Sequence, residues 1–457
     1  MKIPCALTIA GSDSCGGAGV QADIKTFSAL GVHGLSVLTA VTAQNTRGVL
    51  EVLEVPPEMI EKQFQAVLTE FNVEWCKTGM LWSAAEIEVV EKAVKRHGLK
   101  LVVDPVMVAT SGSQLLRGDA FPSLLKLIET AALVTPNVDE ASKILGKKIT
   151  SPKDAENAAR KIASLGPKAV LIKGGHLPGK EAVDVLFYGK KIHRFTGRRI
   201  TDEKIHGAGC SFSAAITAEL AKGLELPDAV ASAKKFIESA IERRVKVGRG
   251  VAIVNPGAQL WLSAEEGKAM REVWEAAKAL TKMKNFCALI PEVGSNLAMA
   301  LPWARSRAEV VGLSGRIIRR GDAALLTGFP ELGGSEHVAN FVLTAHRHDP
   351  RIRAGLNIKY SREILAACKK LGLKISTFER RNEPKGTKTM IWGTEQAIKK
   401  FGGVPDVIYD RGSIGKEPMI RLLAETPQEL VKRVEEILKV CFNYSRDQWM
   451  GMGAWEG

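Results

Sequence analysis

From residue 3 to about residue 255 the chain alternates short apolar runs with stretches of helical periodicity, and this alternation constrains the fold more than any other feature. ALTIAGSD is followed by a helix near Ala18 to Leu30. LSVLTAVTAQ and VEWCKTGM read as strands separated by the helical MIEKQFQAVLTEF, and KLVVDPVMV, ALVTPN and AVLIKGG continue the series. Strands and helices in strict succession require right-handed crossovers, so the expected fold is a mostly parallel α/β sheet with helices on both faces. Ligands of such sheets gather at the carboxyl ends of the strands.

The informative polar residues fall at those ends. Asp104 directly follows LVV, Asn137 and Glu140 follow ALVTP, and Lys173 with Gly174 follows VLI. Two carboxylates on neighbouring strand ends suit Mg²⁺, which takes a few carboxylates together with water and substrate phosphates, and Lys173 would then touch a polyphosphate. Each also has a plainer role as a turn or cap residue, and Asn137 before VDEA fits a helix N-cap.

Further on, HGAGCSFSAA runs a glycine turn straight into a helix start. Free N–H groups of Gly207, Ala208, Gly209 and Cys210, backed by the helix dipole, would form an anion hole for a phosphoryl group. The alternative is an ordinary glycine-capped loop. The opening loop GSDSCGGAGVQADIKT, which begins at Gly11, lacks the GxxxxGK[ST] spacing of a P-loop and reads instead as the lining of a substrate pocket. Asp23 and Gln44 have the acceptor and donor groups to pair with an aminopyrimidine edge.

A length of 457 residues exceeds what one core usually organises, so two domains are expected, 1–262 and 263–457. With 45% hydrophobic and 25% charged residues the chain is ordinary globular material. The seven scattered cysteines include no CxxC pair, which argues against a disulfide framework and a structural zinc site. No leader-like segment and no span long enough for a bilayer is read, so a cytoplasmic protein without a membrane partner is expected. Residues 271–457 carry 30 Lys and Arg against 21 Asp and Glu, yet no nucleic-acid motif accompanies them; anionic small molecules are the expected partners.

After NPGAQLWLS the pattern changes, and SAEEGKAMREVWEAAKALTKMK reads as one helix beginning at a Ser263 N-cap. NLAMALP, AEVVGL, AALLTGFP, AGLNIKY, KISTFE, DVIYD and PMIRLLA read as strands of a second α/β domain, with helices near Ser335 to His346, Ser361 to Leu371, Glu395 to Lys400 and Pro427 to Cys441. GRIIRRG supplies Arg316, Arg319 and Arg320, and GGSEHVAN sets glycines and a Ser N-cap before a helix, with His337 in its first turn.

TIAGSDSCGGAGVQADIKTFSALGVHG, AVTAQNT, KTGML, VDPVM, TPNVDEA, KGGH and HGAGCSFSAA, in this order and spacing, resemble the hydroxymethylpyrimidine and phosphomethylpyrimidine kinases of thiamine biosynthesis, members of the ribokinase-like superfamily. The resemblance covers residues 1 to about 260. It implies two successive ATP-dependent phosphorylations of one pyrimidine; alongside it the strand-end reading expects Mg²⁺ on Asp104 and Glu140, and ATP on Asn137, Lys173 and Gly174. By position Asp23 and Gln44 match the family's pyrimidine contacts, Met80 its ring-packing residue and Cys210 the residue facing the transferring phosphoryl group; Gly11 is a further candidate for the substrate pocket, and Gly207 and Gly209 for the phosphoryl-transfer site. Many relatives in the wider superfamily carry Asp where Cys210 stands. A thiolate at a helix N-terminus has a lowered pKa, so Cys210 serves either as base or as phosphoryl-site ligand, and both readings stand. Ala208 departs from the family's frequent Thr and lacks its hydroxyl.

GRIIRRG, GFPELGGSEHVAN, RAGLNIKYS and YDRGSIGKEP, over about residues 270 to 445, resemble the thiamine phosphate synthase domain fused behind this kinase in archaea. That resemblance implies a three-layer α/β/α, class II aldolase-like fold and coupling of the pyrimidine diphosphate with thiazole phosphate. Arg316 and His337 are the candidates for chemistry, and Arg320 and Asn357 for substrate contact; a surface arginine and a helix-capping histidine are the plainer readings. A homo-oligomer is expected. The competing expectation is a pyridoxal or sugar kinase of the same fold carrying a regulatory domain that senses thiamine phosphates.

Overall fold

The computed structural model describes residues 3–384, 386–413 and 415–442, so Ile414 of YDRGSIGKEP and residues 443–445 at the end of the second resemblance lie outside the described residues. Two compact units divide the chain, Met1–Leu260 and Trp261–Gly457.

In the first unit one sheet contains β1 (Cys5–Asp13), β2 (His33–Asn45), β3 (Gly48–Glu54), β4 (Trp75–Thr78), β5 (Lys100–Val103), β6 (Leu133–Val134), β7 (Ala169–Ile172), β8 (Glu181–Tyr188) and β9 (Lys191–Arg198), in the spatial order β3-β2-β1-β4-β5-β6-β7-β8-β9. From β2 to β7 the pairs are parallel. Eight helices follow in chain order: α1 (Gly19–Ala29), α2 (Pro57–Leu68), α3 (Ala84–His97), α4 (Phe121–Glu129), α5 (Val138–Leu145), α6 (Pro152–Ala163), α7 (Ala208–Ala221) and α8 (Leu226–Glu242). Strand alternation decides which helix packs where. Leu101 and Val103 of β5 face α2, α3 and α4, whereas Val102 between them faces α7 and α8. Buried on both faces, these strands read as continuous apolar runs.

Three strands of this sheet escaped the periodicity argument. β3 pairs antiparallel on one edge, and the hairpin β8–β9 extends the other. The hairpin had a legible signal in Gly189-Lys190, both at positive φ (56° and 64°), the conformation of a two-residue turn matched to strand twist. Outside the main sheet, β10 (Ile205–His206) pairs with β11 (Ala252–Ile253).

The second unit adds β12 (Leu297–Ala300), β13 (Val310–Leu313), β14 (Ile317–Arg320), β15 (Ala323–Leu326), β16 (Pro330–Leu332), β17 (Ala354–Lys359), β18 (Ile375–Thr377), β19 (Val407–Asp410) and β20 (Met419–Ala424). Seven form a mixed sheet ordered β16-β13-β12-β17-β20-β19-β18, and β14–β15 is a separate hairpin. The helices are α9 (Ala258–Lys282), α10 (Glu336–His348), α11 (Arg362–Lys370), α12 (Thr389–Phe401) and α13 (Pro427–Phe442). Leu297 and Met299 of β12 point into the layer of α9, α11 and α13, while Ala298 and Ala300 point to α10 and α12, giving three α/β/α layers. The Ser263 N-cap is corrected: α9 begins at Ala258, whose N–H bonds Asn255 O at 3.1 Å, because the Asn-Pro-Gly turn before it is the stronger start signal and Ser263 then falls inside the helix. β14 and β16, three or four residues each, carried too little pattern to be read.

Candidate functional site

In the first unit a cavity of about 820 Å³ opens along the carboxyl ends of β1, β2, β4, β5, β6 and β7, opposite the start of α7. Gly11, Gln44, Met80, Asp104, Asn137, Glu140, Lys173, Gly207, Gly209 and Cys210 all line it. These ten residues, from six strand ends and the starts of α5 and α7, line one cavity.

The helix start is built by close backbone approach. Gly207 caps α7 at φ 81°, with no side-chain cap, and a Cβ there would sit 1.7 Å from Gly17 O, so only glycine fits. Ser211 N is the first to bond back, to Gly207 O at 2.9 Å, which leaves the N–H groups of Ala208, Gly209 and Cys210 outside the helix ladder. A Cβ on Gly209 would lie 3.4 Å from Lys173 Nζ, so the ammonium stands beside the helix start. The Cys210 thiol does not behave as the dipole argument suggested. Burial pushes it up to about 11, against the pull of Lys77, so at neutral pH it is a thiol rather than a thiolate.

The acids are held in place. Asp104 accepts from Lys173 Nζ at 2.6 Å and from Ser213 Oγ at 3.0 Å. Glu140 closes a capping box with Asn137: Asn137 N donates to Glu140 Oε2 at 2.8 Å, and Glu140 N to Asn137 Oδ1 at 2.9 Å. The plain reading of Asn137 as a cap is therefore realised at the cavity wall. Burial pushes the Glu140 carboxyl up to about 7, with Lys173 pulling down and Asp104 pushing up. Two crowded carboxylates of this kind suit a hard divalent cation, whose charge relieves their repulsion.

Asp23 and Gly174 are not brought to the cavity. Asp23 is fully buried beneath it, bonded to Lys77 Nζ at 2.9 Å and Thr8 Oγ1 at 2.6 Å, because a carboxylate on the inner face of α1 needs a cation more than a substrate. Burial alone would lower Lys77, and Asp23 with its neighbouring acids overrides it upward. Gly174 packs against β8, where a Cβ would stand 1.8 Å from Val183 O, and its N–H donates to Asp184 at 2.8 Å. Gln44 keeps its place, with Nε2 3.4 Å from His206 Nε2.

Sequence reasoning missed Lys77, Asp13, His206 and Ser213. Asp13 at the end of β1 accepts from the N–H groups of Cys15, Gly17 and Ala18 at 2.9, 3.0 and 2.8 Å and pairs with His206 Nε2 at 2.8 Å. Burial works to raise its pKa, and His206 with the Cys15 N–H overcomes it, leaving about 2. Lys77 was signalled by a lysine inside the apolar VEWCKTGM, which demands a buried acid.

A second cavity, about 560 Å³, lies in the second unit and is lined by Arg316, His337 and Asn357. Arg316 Nη1 donates to Val293 O, and Arg316 N to Thr327 Oγ1 at 3.0 Å. Asn357 spends its amide on structure: Oδ1 accepts from Asn296 N at 2.7 Å and Nδ2 donates to Gly294 O at 3.0 Å. Asn296 Nδ2 in turn holds Gly315 O at 2.7 Å, next to Arg316. Arg320 does not join them; it lies at the far end of exposed β14, away from the cavity wall. Arg380, Arg421 and Asp410, unmarked in the sequence reading, form a buried cluster here.

Comparison with known proteins follows the same division. Residues 13–255 match the phosphomethylpyrimidine kinase family, and residues 272–436 match thiamine-phosphate synthase ThiN. The bifunctional thiamine biosynthesis protein ThiDN of Methanocaldococcus jannaschii is 38% identical over 437 residues, 95% of this chain and 98% of its own. A hydroxymethylpyrimidine/phosphomethylpyrimidine kinase of Rhizobium meliloti is 48% identical over 261 residues, 56% of this chain and 98% of its own. Among solved structures, an ADP complex of Bacillus subtilis pyridoxal kinase has a TM-score of 0.52 at 38% identity, over 57% of this chain and 99% of its own.

Proposed function

The chain belongs to the family of bifunctional thiamine biosynthesis proteins that join a phosphomethylpyrimidine kinase to a thiamine-phosphate synthase, and from that premise we propose how its residues divide the work. The first unit transfers a phosphoryl group from ATP to 4-amino-5-hydroxymethyl-2-methylpyrimidine and then to the resulting monophosphate. The second couples the diphosphate with thiazole phosphate, releasing pyrophosphate and leaving thiamine monophosphate. The division of labour follows 1–262 and 263–457.

The observation that carries the kinase reading is the meeting of Lys173 with the start of α7, a fixed positive charge beside unladdered N–H groups. The pyrimidine lies between Gly11, Gln44 and Met80, its hydroxyl toward Cys210. Ala208, Gly209 and Cys210 donate to the transferring group, and Lys173 balances charge on the ATP phosphates. Phosphoryl transfer through a loose transition state needs positioning and charge stabilisation more than a strong base, which suits a Cys210 that remains a thiol. Asp104 and Glu140 would hold Mg²⁺, which supplies charge neutralisation on the ATP phosphates. In the second unit the Arg316 guanidinium binds phosphate oxygens, while His337 sits in the first turn of α10.

The same reading takes the chain to be a cytoplasmic homo-oligomer acting on small molecules, with no nucleic-acid or membrane partner. Among the described residues no helix is long and apolar enough to cross a membrane. Competition between the pyrimidine alcohol and pyridoxal, each with Mg-ATP, tests the substrate. The higher kcat/KM belongs to the pyrimidine on this reading; a higher value for pyridoxal would reverse it.

A further inference from the structure

β20 crosses the second unit's sheet with apolar residues on every side of one arginine, Arg421, whose side chain is 2% exposed. It emerges on the face of α10 and α12, where Cζ stands 5.3 Å from the Phe378 ring centre and Nε points at Met390 Sδ, 3.3 Å away. Nη2 donates to Asp410 Oδ2 at 2.8 Å. The same fully buried carboxylate is gripped by Arg380, from Nε at 2.5 Å and Nη2 at 3.2 Å. Two guanidinium groups therefore share one carboxylate, and the cluster holds one positive charge in excess.

The excess has a direction. Nη1 of Arg421 is buried and has no hydrogen-bond partner among the described residues. Leaving a charged donor unsatisfied in a dry site costs free energy that an apolar residue of the same volume would avoid. Both arginines line the second cavity, as does the first turn of α10. That helix makes its first ladder bond from Ala339 N to Ser335 O at 2.9 Å, and the Ser335 side chain does not cap it, so the N–H groups of Glu336, His337 and Val338 lie ahead of the ladder. A spare guanidinium N–H, a buried net charge and an uncapped helix start in one cavity share one chemical complement, an oxyanion with several oxygens.

We propose that Arg421, braced on Asp410 and joined by Arg380, binds a phosphoryl oxygen of the ligand at the floor of this cavity, with the first-turn N–H groups of α10 as further donors. The identity of that ligand as a diphosphate rests on the synthase reading above; the anion site itself does not.

Calorimetric titration of inorganic pyrophosphate, and separately of orthophosphate, into the full chain and into Arg421→Met reads the proposal. Methionine fills similar space without charge and leaves Asp410 and Arg380 a matched pair, so the thermal midpoint of the variant is expected at or above that of the wild type. Pyrophosphate affinity is expected to fall at least tenfold, and by more than orthophosphate affinity. Should Arg421→Met not fold, Arg421→Lys carries the same test, since lysine keeps the pair with Asp410 and loses Nη1. Because the substitution lies in the second unit, the binding it removes belongs there. Equal pyrophosphate affinity in wild type and variant overturns the proposal, whether or not the chain makes thiamine phosphate. A tenfold loss in a chain that makes none keeps the anion site and removes the synthase reading instead.

Discussion

The two cavities balance charge in opposite ways. In the first unit the buried Lys77 and Lys234 and the partly buried Lys173 each have a carboxylate: Lys77 with Asp23 at 2.9 Å, Lys173 with Asp104 at 2.6 Å and Lys234 with Asp184 at 2.7 Å. In the second, Arg380 and Arg421 share Asp410. The difference matches what each would receive. On the proposed reading a divalent cation would offset the charge of ATP in the first cavity, whereas the guanidinium groups of the second would meet phosphoryl oxygens directly. The sheets differ in parallel fashion. The mostly parallel sheet collects its site at strand ends, but the mixed sheet presents Asn357 and Arg421 from mid-strand of the antiparallel pair β17–β20, directly opposite each other in register.

The sharpest way to break this contrast is to remove the two candidate groups for chemistry from the second unit alone. Arg316→Ala and His337→Ala are each expected to lower thiamine phosphate formation by about 10²- to 10⁴-fold, the range for a lost charge stabiliser or acid/base group, while ATP consumption on the pyrimidine stays at the wild-type rate. Parallel loss of both activities would mean that the cavities are not separate.

For the first unit, Cys210→Ala keeps the backbone N–H and removes the thiol, and is expected to lower phosphoryl transfer by about 10²-fold, as for one lost side-chain donor. With the thiol near 11, kcat carries no rising limb between pH 6 and 9 from this residue, and Cys210→Ser recovers part of the loss. A limb that vanishes in the serine variant would make Cys210 the base.

Two stability measurements separate scaffolding from binding at the first cavity. Asp13→Asn is expected to cost about 2 kcal/mol at pH 7, the equivalent of a carboxyl held near 2 instead of its ordinary 3.8. A depressed pKa stabilises above the unfolded value and is lost as pH falls, so the gap between variant and wild type should close from about pH 4 towards pH 2, read by urea unfolding. Gly174→Ala forces a Cβ against Val183 O and is expected to cost about 1 to 3 kcal/mol without changing the KM for ATP in the folded enzyme. A raised KM at unchanged stability would return Gly174 to the nucleotide site.

How much of this the sequence could carry follows from the same contrast. The parallel sheet was legible because its strands are apolar on both faces and its ligand residues interrupt that pattern at their ends, as Asp104 does after Val103. Asp23 failed because the pattern marks a carboxylate as conspicuous without saying which way it faces; only packing shows that Lys77 claims it. Arg421 went unread within PMIRLLA, although an arginine among apolar strand residues, like the aspartate closing DVIYD, signals a buried partner. Pairing the two needs the register of β19 against β20, which lies beyond periodicity.

The most direct test of two chemistries in two units is to inactivate one and feed the other. The full chain carrying Lys173→Met, given the pyrimidine diphosphate and thiazole phosphate without ATP, is expected to form thiamine monophosphate and pyrophosphate at the wild-type rate. Given the pyrimidine alcohol, thiazole phosphate and Mg-ATP, it is expected to form almost none. Failure of the diphosphate to restore product would contradict the account, because the second cavity would then depend on the first for its chemistry.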